Sequence, residues 1–201
     1  MHSILNEKLL ASAFSYTSYR QHIDQLLAEG KTTGADQSAS MIDYTRMNVQ
    51  RMKRIDKLGT IQDELAALLK NWHRPFYWLV ITEAWCGDAA QNIPYLVKMI
   101  ALELGSELKL VLRDEHPELM DAFLTNGSRS IPKLILLDKN SLEVLGSWGP
   151  RPEEAHRMYL DLLKAGTEKA TAALELHSWY AKNKGVAMQQ EILQLLITNR
   201  H

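Results

Sequence analysis

Cysteine is almost missing: Cys86 stands alone in 201 residues. One cysteine cannot form an internal disulfide, which fits a reducing, cytoplasmic setting. Neither sign of charge dominates, since 23 Lys+Arg against 24 Asp+Glu leave a formal net charge of −1. Nothing electrostatic therefore points to nucleic acid or to an anionic membrane surface. No apolar run approaches the roughly 20 residues needed to span a bilayer. The opening stretch MHSILNEKLLASAF lacks the basic n-region and long apolar core of a signal peptide. The histidines (His2, His22, His73, His116, His156, His177, His201) show no metal-ligand spacing, so neither metal nor cofactor is expected. What is present is ordinary for a soluble globular chain: 46% hydrophobic and 23% charged residues, enough for one core plus extra helices.

Helical periodicity governs the first part of the chain. Asn6 to Glu29 carries apolar residues at helical spacing and stops at Gly30, a natural residue beyond a helix end. The polar stretch KTTGADQSAS reads as a linker. A second helix is expected over Met41 to Leu58, with Met41, Tyr44, Met47, Met52, Ile55 and Leu58 as its core face. Thr60 then suits the cap of a short third helix, with Asp63 three residues on. These helices, residues 1–70, carry too many apolar positions for a free tail. They are expected to pack on the remainder or on a second copy, as in a homodimer formed through the helical extensions.

From Phe76 the pattern changes. FYWLVIT is rich in aromatic and β-branched residues, as in a strand buried on both faces. A helix from about Asp88 to Leu104, the strand LKLVLRD, a helix near Glu118 to Leu124, the strand KLILLD, the turn KNS and the strand LEVLGSW follow. Pro152 suits the first position of the next helix, and helices over about Thr167 to Lys182 and Ala187 to Thr198 complete the chain. The order β-α-β-α-β-β-α joins a parallel crossover to a terminal hairpin. The expected fold class is therefore α/β, a mixed sheet flanked by helices.

Cys86 lies in VITEAWCGDAAQNIP, at the junction of the first strand and the helix after it. Here the sequence resembles the thioredoxin family. Trp85-Cys86-Gly87 stands where the family has Trp-Cys-Gly-Pro-Cys, Pro94 occupies the place of the proline within that helix, and RSIPKLILL resembles the family's cis-proline loop. Gly149 follows the hairpin as the family's glycine does. The resemblance covers about Trp72 to Ala165. It implies a thioredoxin-like fold with a four-stranded mixed sheet: a helical extension at 1–70, a thioredoxin-like domain at 71–166, and a C-terminal helical extension at 167–201 packed on the core. Two departures matter. Ala89 replaces the resolving cysteine, giving Cys-Gly-Asp-Ala, and Val80 replaces the family's buried acid.

The resemblance implies Cys86 as a redox-active single thiol and a cis Ile131–Pro132 bond. Without a second cysteine, attack on a disulfide would give a mixed disulfide that only an external thiol resolves, so a protein or a low-molecular-weight thiol or disulfide is the expected partner. A thiol at a helix N-terminus gains from the unpaired amides there, whereas Asp88 opposes the thiolate. The expectation is partial exposure and a thiolate accessible near neutral pH. Ile131 and Pro132 would form the substrate platform, with Trp85, Gly87 and Asp88 beside it. Glu83 and Arg129 would lie near the thiol, either one serving as a solvated charge. The competing reading is a non-catalytic thioredoxin-fold binding module, which leaves open whether the chain is a thiol–disulfide oxidoreductase at all. A glutathione-transferase arrangement fits less well because most of the extra helices come first, and a monothiol glutaredoxin would carry Cys-Gly-Phe-Ser.

Overall fold

The structure, a computed structural model, describes residues 4–199. The outer ends of the expected extensions 1–70 and 167–201, with His2 and His201, lie outside the described residues. Four strands, β1 (Phe76–Thr82), β2 (Glu107–Leu112), β3 (Lys133–Asp138) and β4 (Val144–Trp148), form one sheet in the order β2-β1-β3-β4. β1 runs parallel to β2 and antiparallel to β3, and β3 and β4 form the expected hairpin. The α/β class and the mixed four-stranded sheet follow the sequence reading.

Central β1 explains its own composition. With neighbours on both sides and helices over it, Trp78, Leu79, Val80 and Ile81 are fully buried. Leu79, Val80 and Ile81 each contribute about 1.5–3 kcal/mol by leaving water. The register then fixes the geography of the site. Val80 pairs with Leu134 and Ile81 with Lys133, so the loop leaving β1 emerges beside the loop entering β3. Thr82 pairs with Leu112, bringing the end of β2 to the same edge.

Nine helices are described: α1 (Glu7–Ser12), α2 (Tyr16–Ala28), α3 (Ala39–Leu58), α4 (Asp63–Lys70), α5 (Gly87–Ile100), α6 (Pro117–Ala122), α7 (Glu153–Lys164), α8 (Lys169–Asn183) and α9 (Val186–Thr198). The single helix expected over residues 6–29 is two. Phe14 exchanges backbone hydrogen bonds with Leu110 of β2 at 2.8 and 2.9 Å, and Ser15 then caps α2. Pairing with a sheet edge interrupts the helix there.

The core face of α3 also differs from the expected one. Met52 and Ile55 are buried, but Tyr44, Met47 and Leu58 are exposed, while Thr45, Asn48 and Val49 take the inward positions. A strict spacing of three drifts around a 3.6-residue turn. The inward polar residues are satisfied: Thr45 pairs with Thr32, and the Asn48 amide donates to the Ala84 carbonyl at 2.9 Å. Thr60 is not a cap either. Gln62 occupies that place, and the Thr60 carbonyl accepts from buried Gln189 of α9, whose own carbonyl takes the Gln62 amide.

α3 lies along α5, α4 touches both α5 and α9, and α9 packs on β4. Leu9, Ile23, Met52 and Leu65 of the N-terminal helices share one core with β1 and α5. α7 and α8 differ. Ala155, Leu176 and Tyr180 form a separate small apolar cluster, outside the main core.

Candidate functional site

Cys86 occupies the N-cap of α5, in extended backbone, with its sulfur accepting from the Ala89 amide at 3.4 Å. The same sulfur donates to the Ile131 carbonyl at 3.2 Å. This is the contact the β1–β3 register sets up, since both loops leave the sheet at one edge. The Ile131–Pro132 bond is cis, as is Gly149–Pro150. Gly149 (φ +112°) lets this second loop approach closely: a Cβ there would lie 2.2 Å from the Pro132 carbonyl oxygen.

The thiol is covered, contrary to expectation. Cys86 is 8% exposed, and Ile131 and Pro132 are buried as well. Burial pushes the Cys86 thiol up to about 12, and the Asp88 charge adds to the shift. Amides of Ala89 and Asp88, with the Arg151 charge, pull the other way and lose. Desolvation of the charged form outweighs the pull of the helix terminus. The expected exposed thiolate near neutral pH is therefore absent from this conformation, and the platform expected at Ile131 and Pro132 is closed.

Residues far along the chain meet the helix start beside Cys86. Asp88 is buried rather than a solvated helix-start residue: Arg151 holds its Oδ2 at 2.6 Å and the Tyr180 hydroxyl donates to its Oδ1 at 2.7 Å. Burial still raises the Asp88 carboxyl above its ordinary range. Asn92, one turn on, donates to the Tyr180 oxygen at 3.1 Å. His177 of α8 lies over Gly87 so closely that a Cβ on that glycine would meet the imidazole at 2.7 Å. Burial, with Arg51 and Arg151 nearby, lowers His177 to about 4, so the ring is neutral at physiological pH.

The other expected site residues separate. Trp85 is partly buried, with the Arg113 guanidinium 4.8 Å from its ring centroid. Glu83 is not a solvated charge. It is fully buried, accepts the Asp114 amide at 3.0 Å, and has one carboxylate oxygen with no partner among the described residues. Arg129 is exposed and pairs with Asp121. Sequence reasoning missed Arg151, Tyr180, His177 and Asn48, because nothing local marks a residue that meets the motif from 36 or more positions away. Among the described residues no His, Cys, Asp and Glu cluster could hold a metal ion, and no helix is long and apolar enough to cross a membrane.

The chain is similar in fold to a crystal structure of an HIV epitope-scaffold, at 16% identity and a TM-score of 0.60, covering 94% of this chain and 95% of that one. It is also similar to a Pseudomonas aeruginosa protein of unknown function, at 19% identity and a TM-score of 0.54, covering 89% and 96%. At these identities the likeness concerns the fold. No curated protein matches the sequence significantly. Residues 34–171, more than half of the chain, match the family described as Thioredoxin, and with the strand order, the Cys86 position and the Ile131–Pro132 loop already described, the chain belongs to the thioredoxin family.

Proposed function

We propose that Cys86 is a masked single thiol, able to form a mixed disulfide only after the α7–α8 cover moves away. The observation that carries this reading is the nature of the cover. α8 holds the motif through Tyr180–Asp88, Tyr180–Asn92 and the contact of His177 with Gly87, while its apolar residues cluster with α7 outside the main core. Such an attachment can open without unfolding the sheet. Once it is open, the Cys86 thiolate would attack a substrate disulfide, forming one S–S bond and expelling the other sulfur as a thiolate. An external thiol would then attack the mixed disulfide and return Cys86 to the thiol.

A second reading, the non-catalytic binding module, is favoured by one specific contact. The Cys86 sulfur itself occupies the Ile131 carbonyl and stays protonated. Alkylation of the native protein separates the two readings. Tyr180→Phe and Arg151→Ala each loosen the cover, and the masked-thiol reading expects at least a tenfold faster reaction of Cys86 in both. Unchanged rates in folded variants would leave the binding-module reading in possession.

A further inference from the structure

We propose that a cavity between α3, α5 and the α8–α9 turn binds a small anion through a phosphate or carboxylate group. The cavity has a volume of about 270 Å³ and is lined by Arg54, Gln91, Tyr95, Tyr180, Lys184 and Gly185, among others. No Asp or Glu lines it. Arg54 and Lys184 form no ion pair with any described residue, so two positive charges face this space unmatched. The field of Arg54 reaches Arg51, one turn earlier on α3, and Tyr95 across the cavity.

Gln91 is the second and independent observation. It is only 4% exposed, it lines the cavity, and its carboxamide has no hydrogen-bond partner among the described residues. Its carboxamide atoms still reach the open space of the cavity, where they can pair with a ligand oxygen. The amide can donate to an anion's oxygen while the cations neutralise its charge. Gly185 adds to the wall. Its left-handed backbone (φ +79°) brings the turn against the Tyr95 ring, where a Cβ would lie 2.6 Å from ring carbons. It is also the N-cap of α9, without a capping side chain. Backbone amides and the positive end of that helix therefore border the same space. The cavity lies below the roughly 300–1,000 Å³ of pockets for drug-sized ligands, so it fits a small anion or the anionic end of a larger molecule. None of this depends on whether Cys86 reacts.

The test is a titration of the full ¹⁵N-labelled chain with sodium phosphate and, separately, sodium citrate, each against sodium chloride at matched ionic strength. Addition up to about 50 mM captures even weak binding. The expected result is a saturable shift of the Gln91 side-chain amide signals. Combining Arg54→Ala with Lys184→Asn should weaken the response at least tenfold; both positions are exposed, and asparagine tolerates the left-handed backbone of residue 184. Saturation by phosphate alone assigns a phosphate group, and saturation by citrate alone a carboxylate. Absence of a saturable Gln91 shift with either anion overturns the proposal, as does an affinity unchanged by removal of both cations.

Discussion

The Tyr180 hydroxyl donates to Asp88 at 2.7 Å, joining residues 92 positions apart beside the Cys86 motif. Asp88 sits two residues after Cys86 on α5, and Tyr180 belongs to the α7–α8 cluster. One hydrogen bond thus ties the helix that begins after Cys86 to α8. With Arg151 on the other oxygen, Asp88 joins α5 to two distant parts of the chain. Its charge also raises the Cys86 thiol.

The first prediction concerns thiol chemistry. With its thiol held near 12, Cys86 should react with iodoacetamide at pH 8 about a thousandfold more slowly than a free cysteine of pKa about 8.5. The rate should return to the free value in denaturant. Rapid native alkylation, measured by mass spectrometry, would show that the cover does not protect the sulfur.

Asp88→Asn should produce two opposed effects. Removing the carboxylate takes away the second-largest cause raising the thiol, so its pKa should fall. Burial, the largest cause, remains, so the pKa should stay above the free value. The same change leaves Arg151 unpaired, and breaking a buried pair from one side costs about 3–5 kcal/mol. Chemical denaturation should show that loss beside a modest drop in thiol pKa. A pKa below 8.5 in a folded Asp88→Asn protein would mean that charge, and not burial, controls the thiol.

His177 supplies a pH dependence of known sign. Its folded pKa, about 4, lies below the unfolded value of about 6.5. Between these values the unfolded chain binds the extra proton, so stability rises with pH through that window. The contribution is fully present above about pH 6.5 and is lost as pH falls toward 4. His177→Asn should flatten this part of the stability profile, and the ring's NMR titration should have a midpoint near 4. A midpoint near 6.5 would place the imidazole in solvent rather than against Gly87.

Gly149 should be intolerant of a side chain. At φ +112° and with the Pro132 carbonyl in the way, Gly149→Ala should cost at least about 2 kcal/mol, among the larger effects of single substitutions. Denaturation midpoints measure it. A cost below half of that would show that the two loops adjust easily.

The sequence alone determined the strands, the crossover and the hairpin, because local hydrophobic patterning decides these. FYWLVIT reads as a strand buried on both faces through its aromatic and β-branched residues, and KLILLD with LEVLGSW across KNS reads as a hairpin. It also placed Cys86 at a helix start and Ile131–Pro132 ahead of β3. Where the pattern was local but three-dimensional context intervened, it misled: Phe14 pairs with Leu110 and splits a helix, and Thr45 and Asn48 displace Tyr44 and Met47 from the α3 core face because they find hydrogen-bond partners. Only the tertiary structure decided the state of the thiol. Exposure and pKa depend on what is brought over a residue from elsewhere, and Arg151, His177 and Tyr180 carry no local mark of their meeting with Cys86-Gly87-Asp88. A helix N-terminus favours a thiolate when water reaches it. At the buried Cys86 the loss of water outweighs that pull, and the sulfur keeps its proton.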